Sequence, residues 1–149
     1  MLKKQNGIGL LELMLALAII AMMMVAASKY YQSTQTARRV QVVVESAQAV
    51  YSAGERYQLD AGDFTDAEDL NTKFTNMGYL SGSFLSSANP WSSSTTANTI
   101  KASGTKKVVF TLAAIPIWAC NNIAAKLTGV FSVGTCTAGT ATIITIDDT

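Results

Sequence analysis

Apolar and polar positions divide the chain into three regimes. The first is a run of twenty residues, Ile8 to Ala27, in which Glu12 is the only charge. At about 1.5 Å per residue a helix of that length spans about 30 Å, one hydrocarbon core of a membrane. In the second regime Ala37, Val40, Val44, Ala47, Tyr51 and Gly54 recur at three- and four-residue spacing with Val43 and Val50 beside them. Arg38, Arg39, Gln41, Glu45, Gln48, Ser52 and Glu55 fall largely on the other side. That is an amphipathic helix whose stripe needs a partner. No Gly or Pro stands between Gly9 and Gly54, so nothing separates the two regimes. One helix is predicted from Ile8 to about Leu59, roughly 75 Å long.

The third regime alternates short elements with turns. Leu59-Asp60-Ala61-Gly62 ends the long helix, with Gly62 as its cap. Thr65-Asp66-Ala67-Glu68 reads as a capping box opening a short helix with Leu70, Phe74 and Met77 on its apolar face, closed by Asn76 and Gly78. Asn89-Pro90-Trp91 marks a turn, and Ser92–Asn98 a flexible surface loop. Strands are predicted near Thr99–Ala102, Lys107–Leu112, Gly129–Val133 and Ala141–Ile146. In the second of these Val108, Phe110 and Leu112 alternate with Val109 and Thr111. Pro116 to Leu127 reads as a helix with its Pro in the first turn. The fold class is therefore α+β, with a long N-terminal helix on a small antiparallel sheet.

Charge and composition narrow the function. The 149-residue chain carries a formal charge of +1, which offers no bulk attraction for nucleic acid. It has no His, which removes a His-based triad and a His-ligated metal. Asp60, Asp63, Asp66, Glu68 and Asp69 cluster in sequence but lack the spacing of a Ca²⁺ loop and its closing Glu. They read as a solvated face, and two serve as helix N-terminal charges. Trp91 and Trp118 read as packing residues rather than ligand-stacking ones. No nucleophile–base set, cofactor motif or metal site is visible, so the expectation is a protein that is not an enzyme.

Lys3 and Lys4 precede the apolar run and hold the N-terminus in the cytoplasm, so everything beyond Ala27 lies outside. That compartment permits a disulfide between Cys120 and Cys136, which have 15 residues between them. Pairing would add about 3 kcal/mol by chain entropy, and two unpaired buried thiols are the other reading. The N-terminal segment itself allows three readings. It could be a plain anchor, or a secretory signal peptide cleaved after Val25-Ala26-Ala27. The third accounts for Glu12 as well, since a charge at mid-bilayer costs roughly 2.5–3.5 kcal/mol and is a functional candidate by default.

Lys3, Lys4, Gly7, Ile8 and Glu12 together resemble the class III leader of type IV prepilins: a short basic leader ending in Gly, a processing site, then a hydrophobic helix with Glu as its fifth residue. The resemblance extends to Gly78-Tyr79-Leu80, Asn89-Pro90-Trp91 and Ile115-Pro116-Ile117-Trp118-Ala119-Cys120, a layout similar to the head of type IVb pilins. It implies three regions: a leader, 1–7, a transmembrane and filament-core helix, 8–31, and a globular pilin head, 32–149. It implies cleavage by prepilin peptidase between Gly7 and Ile8 and N-methylation of Ile8. Glu12 would meet the new amine of a neighbour's Ile8 during assembly, and Cys120 would pair with Cys136. Cleavage removes Lys3 and Lys4 and leaves a net charge of −1.

The expected function is then that of a pilin. It waits in the bacterial inner membrane, meets the assembly machinery there, and polymerises with copies of itself into an extracellular pilus for adhesion, motility or DNA transfer. A minor pilin or a type II secretion pseudopilin is the alternative within that class. A secreted binding module released after Ala27 is the alternative outside it.

Overall fold

The computed structural model describes residues 9–92, 98–129, 131–137 and 139–146. The first helix, α1, runs Leu10–Ala61 and passes through two compact units, Met1–Ala37 and Arg38–Thr149. It ends where anticipated: Gly62 adopts φ 88° and its N–H reaches the Gln58 carbonyl at 3.1 Å.

In the second unit α1 buries Val40, Val43, Ala47, Val50, Gly54 and Tyr57, spaced alternately three and four apart. This stripe joins one hydrophobic cluster with the sheet and the shorter helices. Two stripe positions differ from expectation. Ala37 is exposed, so the buried face begins at Val40, and Tyr51 is only partly buried, its ring 5.6 Å from that of Phe131.

The remaining elements follow as α2 (Leu70–Asn76), α3 (Phe84–Ser87), β1 (Thr99–Ser103), β2 (Lys107–Ile115), α4 (Ile117–Leu127), β3 (Ser132–Thr137) and β4 (Gly139–Ile146). The strands form one antiparallel sheet in the order β1-β2-β4-β3. Phe110 sits at its centre, paired with Ile100 on β1 and Ile143 on β4, and all three are fully buried. Emptying the Phe110 position to Ala would destabilise the domain by about 3–5 kcal/mol.

Several expectations need correction. The Thr65 capping box does not open α2. Glu68 does reach back to the Thr65 N–H at 3.5 Å, but Ala67 turns to φ 59° and Asp69 bridges to Lys101 of β1. The helix therefore starts four residues later, with Asp69 as its cap accepting from the Asn71 N–H at 3.0 Å. Met77 lies beyond the apolar face as the C-cap of α2 and is 45% exposed. There Tyr79 N–H bonds to the Phe74 carbonyl and Gly78 N–H to that of Thr75, and Gly78 supplies the positive φ this stop requires.

β2 extends past Leu112 because a bulge at Ala114, φ 59°, returns Ile115 to the core face. β3 begins at Ser132 rather than Gly129, since Gly129 takes φ 93° after α4 and Phe131 turns into the core. α3 was not anticipated.

Candidate functional site

The apolar run of the first unit is helical, and its described large side chains all stand exposed, from Leu10 and Leu11 (81% accessible) through Met22, Met23, Met24 and Val25. A folded chain that leaves such a continuous apolar surface open is built to be covered by lipid or by other chains. α1 is long and apolar enough there to cross a membrane. Beyond the run, Ser28 and Thr34 turn their hydroxyls back onto the carbonyls of Met24 and Tyr30, at 2.8 and 3.0 Å. They present no free donor to the surroundings.

Glu12 lies in the first turn of α1, where Gly9 accepts from the N–H groups of Glu12 and Leu13 at 3.0 and 3.2 Å. The partial positive charge of the helix start favours a carboxylate at this place. Glu12 is exposed and has no ion-pair partner among the described residues. Lys3, Lys4, Gly7 and Ile8, the topology and processing residues, lie outside the described residues.

The second unit holds the cysteines. Cys120 in the first half of α4 and Cys136 in β3 are joined as a disulfide, with Cα atoms 5.8 Å apart. The bridge ties the helix to an edge strand of the sheet. The acidic cluster disperses into local roles. Asp60 accepts from the Tyr79 hydroxyl, Asp66 from the Gly104 N–H at 2.6 Å, and Asp69 caps α2. Glu68 pairs with Lys73 at 2.8 Å. The Lys73 ammonium holds the Glu68 carboxyl below its ordinary range, and Glu68 in turn raises Lys73. The Asp60 carboxylate raises the Tyr79 phenol, and Glu55 does the same to Tyr51. Among the described residues no three His, Cys, Asp or Glu side chains gather as a metal site. Trp91 and Trp118 meet edge to face, centroids 6.2 Å apart.

A buried amide pair went unanticipated. Asn98, expected in a surface loop, is fully buried, and its Oδ1 accepts from the Asn89 Nδ2 at 2.9 Å and the Ala113 N–H at 3.1 Å. The only sequence hint is an Asn at each end of the loop, and hydrophobic periodicity is blind to it.

Residues 2–28 match the family model of the prokaryotic N-terminal methylation motif, the type IV prepilin signal. The match covers residues 2–28, a segment similar to a type IV prepilin signal, and the chain beyond it has an α+β fold of one long helix and a small antiparallel sheet. An apolar helix behind that motif suggests membrane anchoring before assembly. No curated protein matches the chain.

Proposed function

We propose that the chain is a structural subunit of a type IV pilus, with a type IVb-like head and a short leader. The observation that carries this reading is the methylation motif at residues 2–28, which takes in the exposed apolar start of a helix whose second half is built into a disulfide-bonded head. Prepilin peptidase cuts between Gly7 and Ile8, where a glycine lets the extended chain enter a protease without a Cβ clash, and the new amine of Ile8 is methylated. Lys3 and Lys4 keep that end cytoplasmic. The region 1–7 is thus leader, 8–31 anchor and filament core, and 32–149 head.

In this reading the subunit has no catalytic, cofactor or metal role. It waits in the inner membrane, engages the assembly machinery, and polymerises into an extracellular filament. There Glu12 meets the amine of a neighbour's Ile8, a pairing strongly preferred to either charge alone in a low-dielectric bundle.

Mass spectrometry of filaments sheared from the native cell surface tests the proposal. A dominant species beginning at N-methylated Ile8 supports a major pilin. A trace amount with that N-terminus makes it a minor pilin, absence from the sheared fraction favours a pseudopilin, and a chain starting at Ser28 overturns assembly altogether.

A further inference from the structure

The described residues of the first unit hold one acidic and one basic side chain, Glu12 and Lys29, near the two ends of the apolar surface. Both are exposed, and neither has an ion-pair partner among the described residues. They stand on one continuous helix, 17 residues apart, so they are about 26 Å apart along the axis and about 100° apart around it. They cannot meet within one chain. Lys29 closes a shallow hollow on the helix face floored by Ala21, Val25 and Ala26 and flanked by Met22, which leaves room for the ridge of another helix.

We propose that Lys29 is the counter-charge for Glu12 of a second copy of this chain, displaced by about 26 Å along the helix axis. This rests on the assembly reading and adds to it a second cation for Glu12 besides the Ile8 amine. Because the two charges lie on different faces, the contact is heterologous. Each copy offers a free Glu12 on one side and a free Lys29 on the other, so the interaction repeats without closing and yields a filament rather than a dimer. Desolvation inside an apolar bundle makes the matched pair far better than either group alone, and this fixes the axial register.

Two measurements test it. Whole cells carrying the assembled chain are treated with dicyclohexylcarbodiimide, which activates a carboxylate as an O-acylisourea. An amine in contact displaces dicyclohexylurea and leaves an amide. The expected product is an inter-chain Glu12–Lys29 amide found by peptide mass mapping. Glu12 recovered only as its N-acylurea adduct overturns the pair, because the reagent then reached the carboxylate and found no Lys29 beside it. Charge exchange decides independently of reagent access. Lys29→Glu and Glu12→Lys are each expected to stay membrane-bound and processed while sheared filament falls about tenfold or more. The double exchange should recover several-fold over either single variant yet stay below wild type, because the exchanged charge at position 12 no longer suits the Ile8 amine. Single variants that assemble normally, or a double exchange no better than the singles, overturn the proposal. Absence of the wild-type chain from sheared filaments overturns the pilus reading alone, since a polymer kept within the envelope still brings Glu12 of one copy to Lys29 of another and yields the amide in whole cells.

Discussion

Asn89 and Asn98 lock together inside the head: the Asn89 Nδ2 donates to the Asn98 Oδ1 at 2.9 Å, with both residues buried. Asn89 also donates to the Ala113 carbonyl at 2.6 Å and accepts from the Trp91 N–H, while Asn98 donates to the Leu85 carbonyl at 3.1 Å. The pair thereby draws α3, the Asn89-Pro90-Trp91 turn and the start of β1 onto β2.

Replacing Asn98 by Ala deletes one acceptor shared by two donors and one donor, leaving groups of Asn89, Leu85 and Ala113 unpaired in the core. A loss of about 3 kcal/mol is expected. Asn98→Asp keeps the acceptor, removes the Nδ2 donor and buries a charge, so it too should destabilise. Thermal unfolding of the full chain in detergent checks both; wild-type melting of either variant would show that the clamp does not carry the loop.

Most of the fold was legible because it rests on periodicity. The absence of Gly and Pro between Gly9 and Gly54 and the three- and four-residue spacing from Ala37 to Gly54 announce α1, and the alternation at Val108, Phe110 and Leu112 announces β2. What escaped depends on partners distant in sequence. Asn98 is polar and follows a Ser/Thr run, so only its contacts with Leu85 and Ala113 reveal that it is core. Asp69 displaces Thr65 as helix cap because of a bridge to Lys101, 32 residues on. Glu12 was legible as chemistry, since a charge in an apolar run stands out. Lys29 did not stand out until the continuous helix set both at opposite ends of one exposed surface.

Reducing the Cys120–Cys136 link frees a loop of 15 intervening residues between α4 and β3. Cys120→Ser should lower head stability by about 3 kcal/mol in the chain-entropy picture. Urea unfolding of wild type and variant, both without reductant, measures the difference; equal midpoints would show the bridge to be dispensable.

Ala114 holds a left-handed backbone, φ 59°, in an exposed bulge. Ala114→Gly should relieve this and gain about 1 kcal/mol, whereas the β-branched Ala114→Val should lose at least about 1 kcal/mol. Reversal of that order in denaturant unfolding would refute the strained geometry.

Glu68 and Lys73 give the head a small pH dependence. The folded Glu68 titrates below its ordinary value, so its stabilisation is present above the unfolded value and lost as pH falls through the folded one. Lys73 is raised, so its share is lost only as pH rises through its folded value. Both groups meet solvent, and salt weakens the pair. Glu68→Gln should flatten the acid side of the melting-temperature profile at low ionic strength and leave the neutral plateau nearly unchanged. A variant profile that falls as steeply in acid as wild type would place the acid sensitivity elsewhere.

Processing and assembly should separate by position. Gly7 would sit on the leader side of the cleaved bond, where a β-branched side chain clashes with the extended backbone a protease binds, so Gly7→Val should leave full-length precursor in the membrane. Glu12 is exposed on the first turn of α1 and supports no contact in the folded chain among the described residues. Its removal therefore costs the subunit only the favourable charge at the helix start and, by taking a charge out of the apolar run, should ease its residence in the bilayer. Glu12→Ala is accordingly expected to accumulate as a membrane-bound chain of mature mass while its filaments fall about tenfold or more, because only the assembled state loses an ion pair. Intact mass of the membrane fraction read beside the amount of sheared filament checks both variants. Unprocessed Glu12→Ala, or normal piliation by it, would remove Glu12 from assembly, and a mature Gly7→Val chain would move the cleavage site away from Gly7.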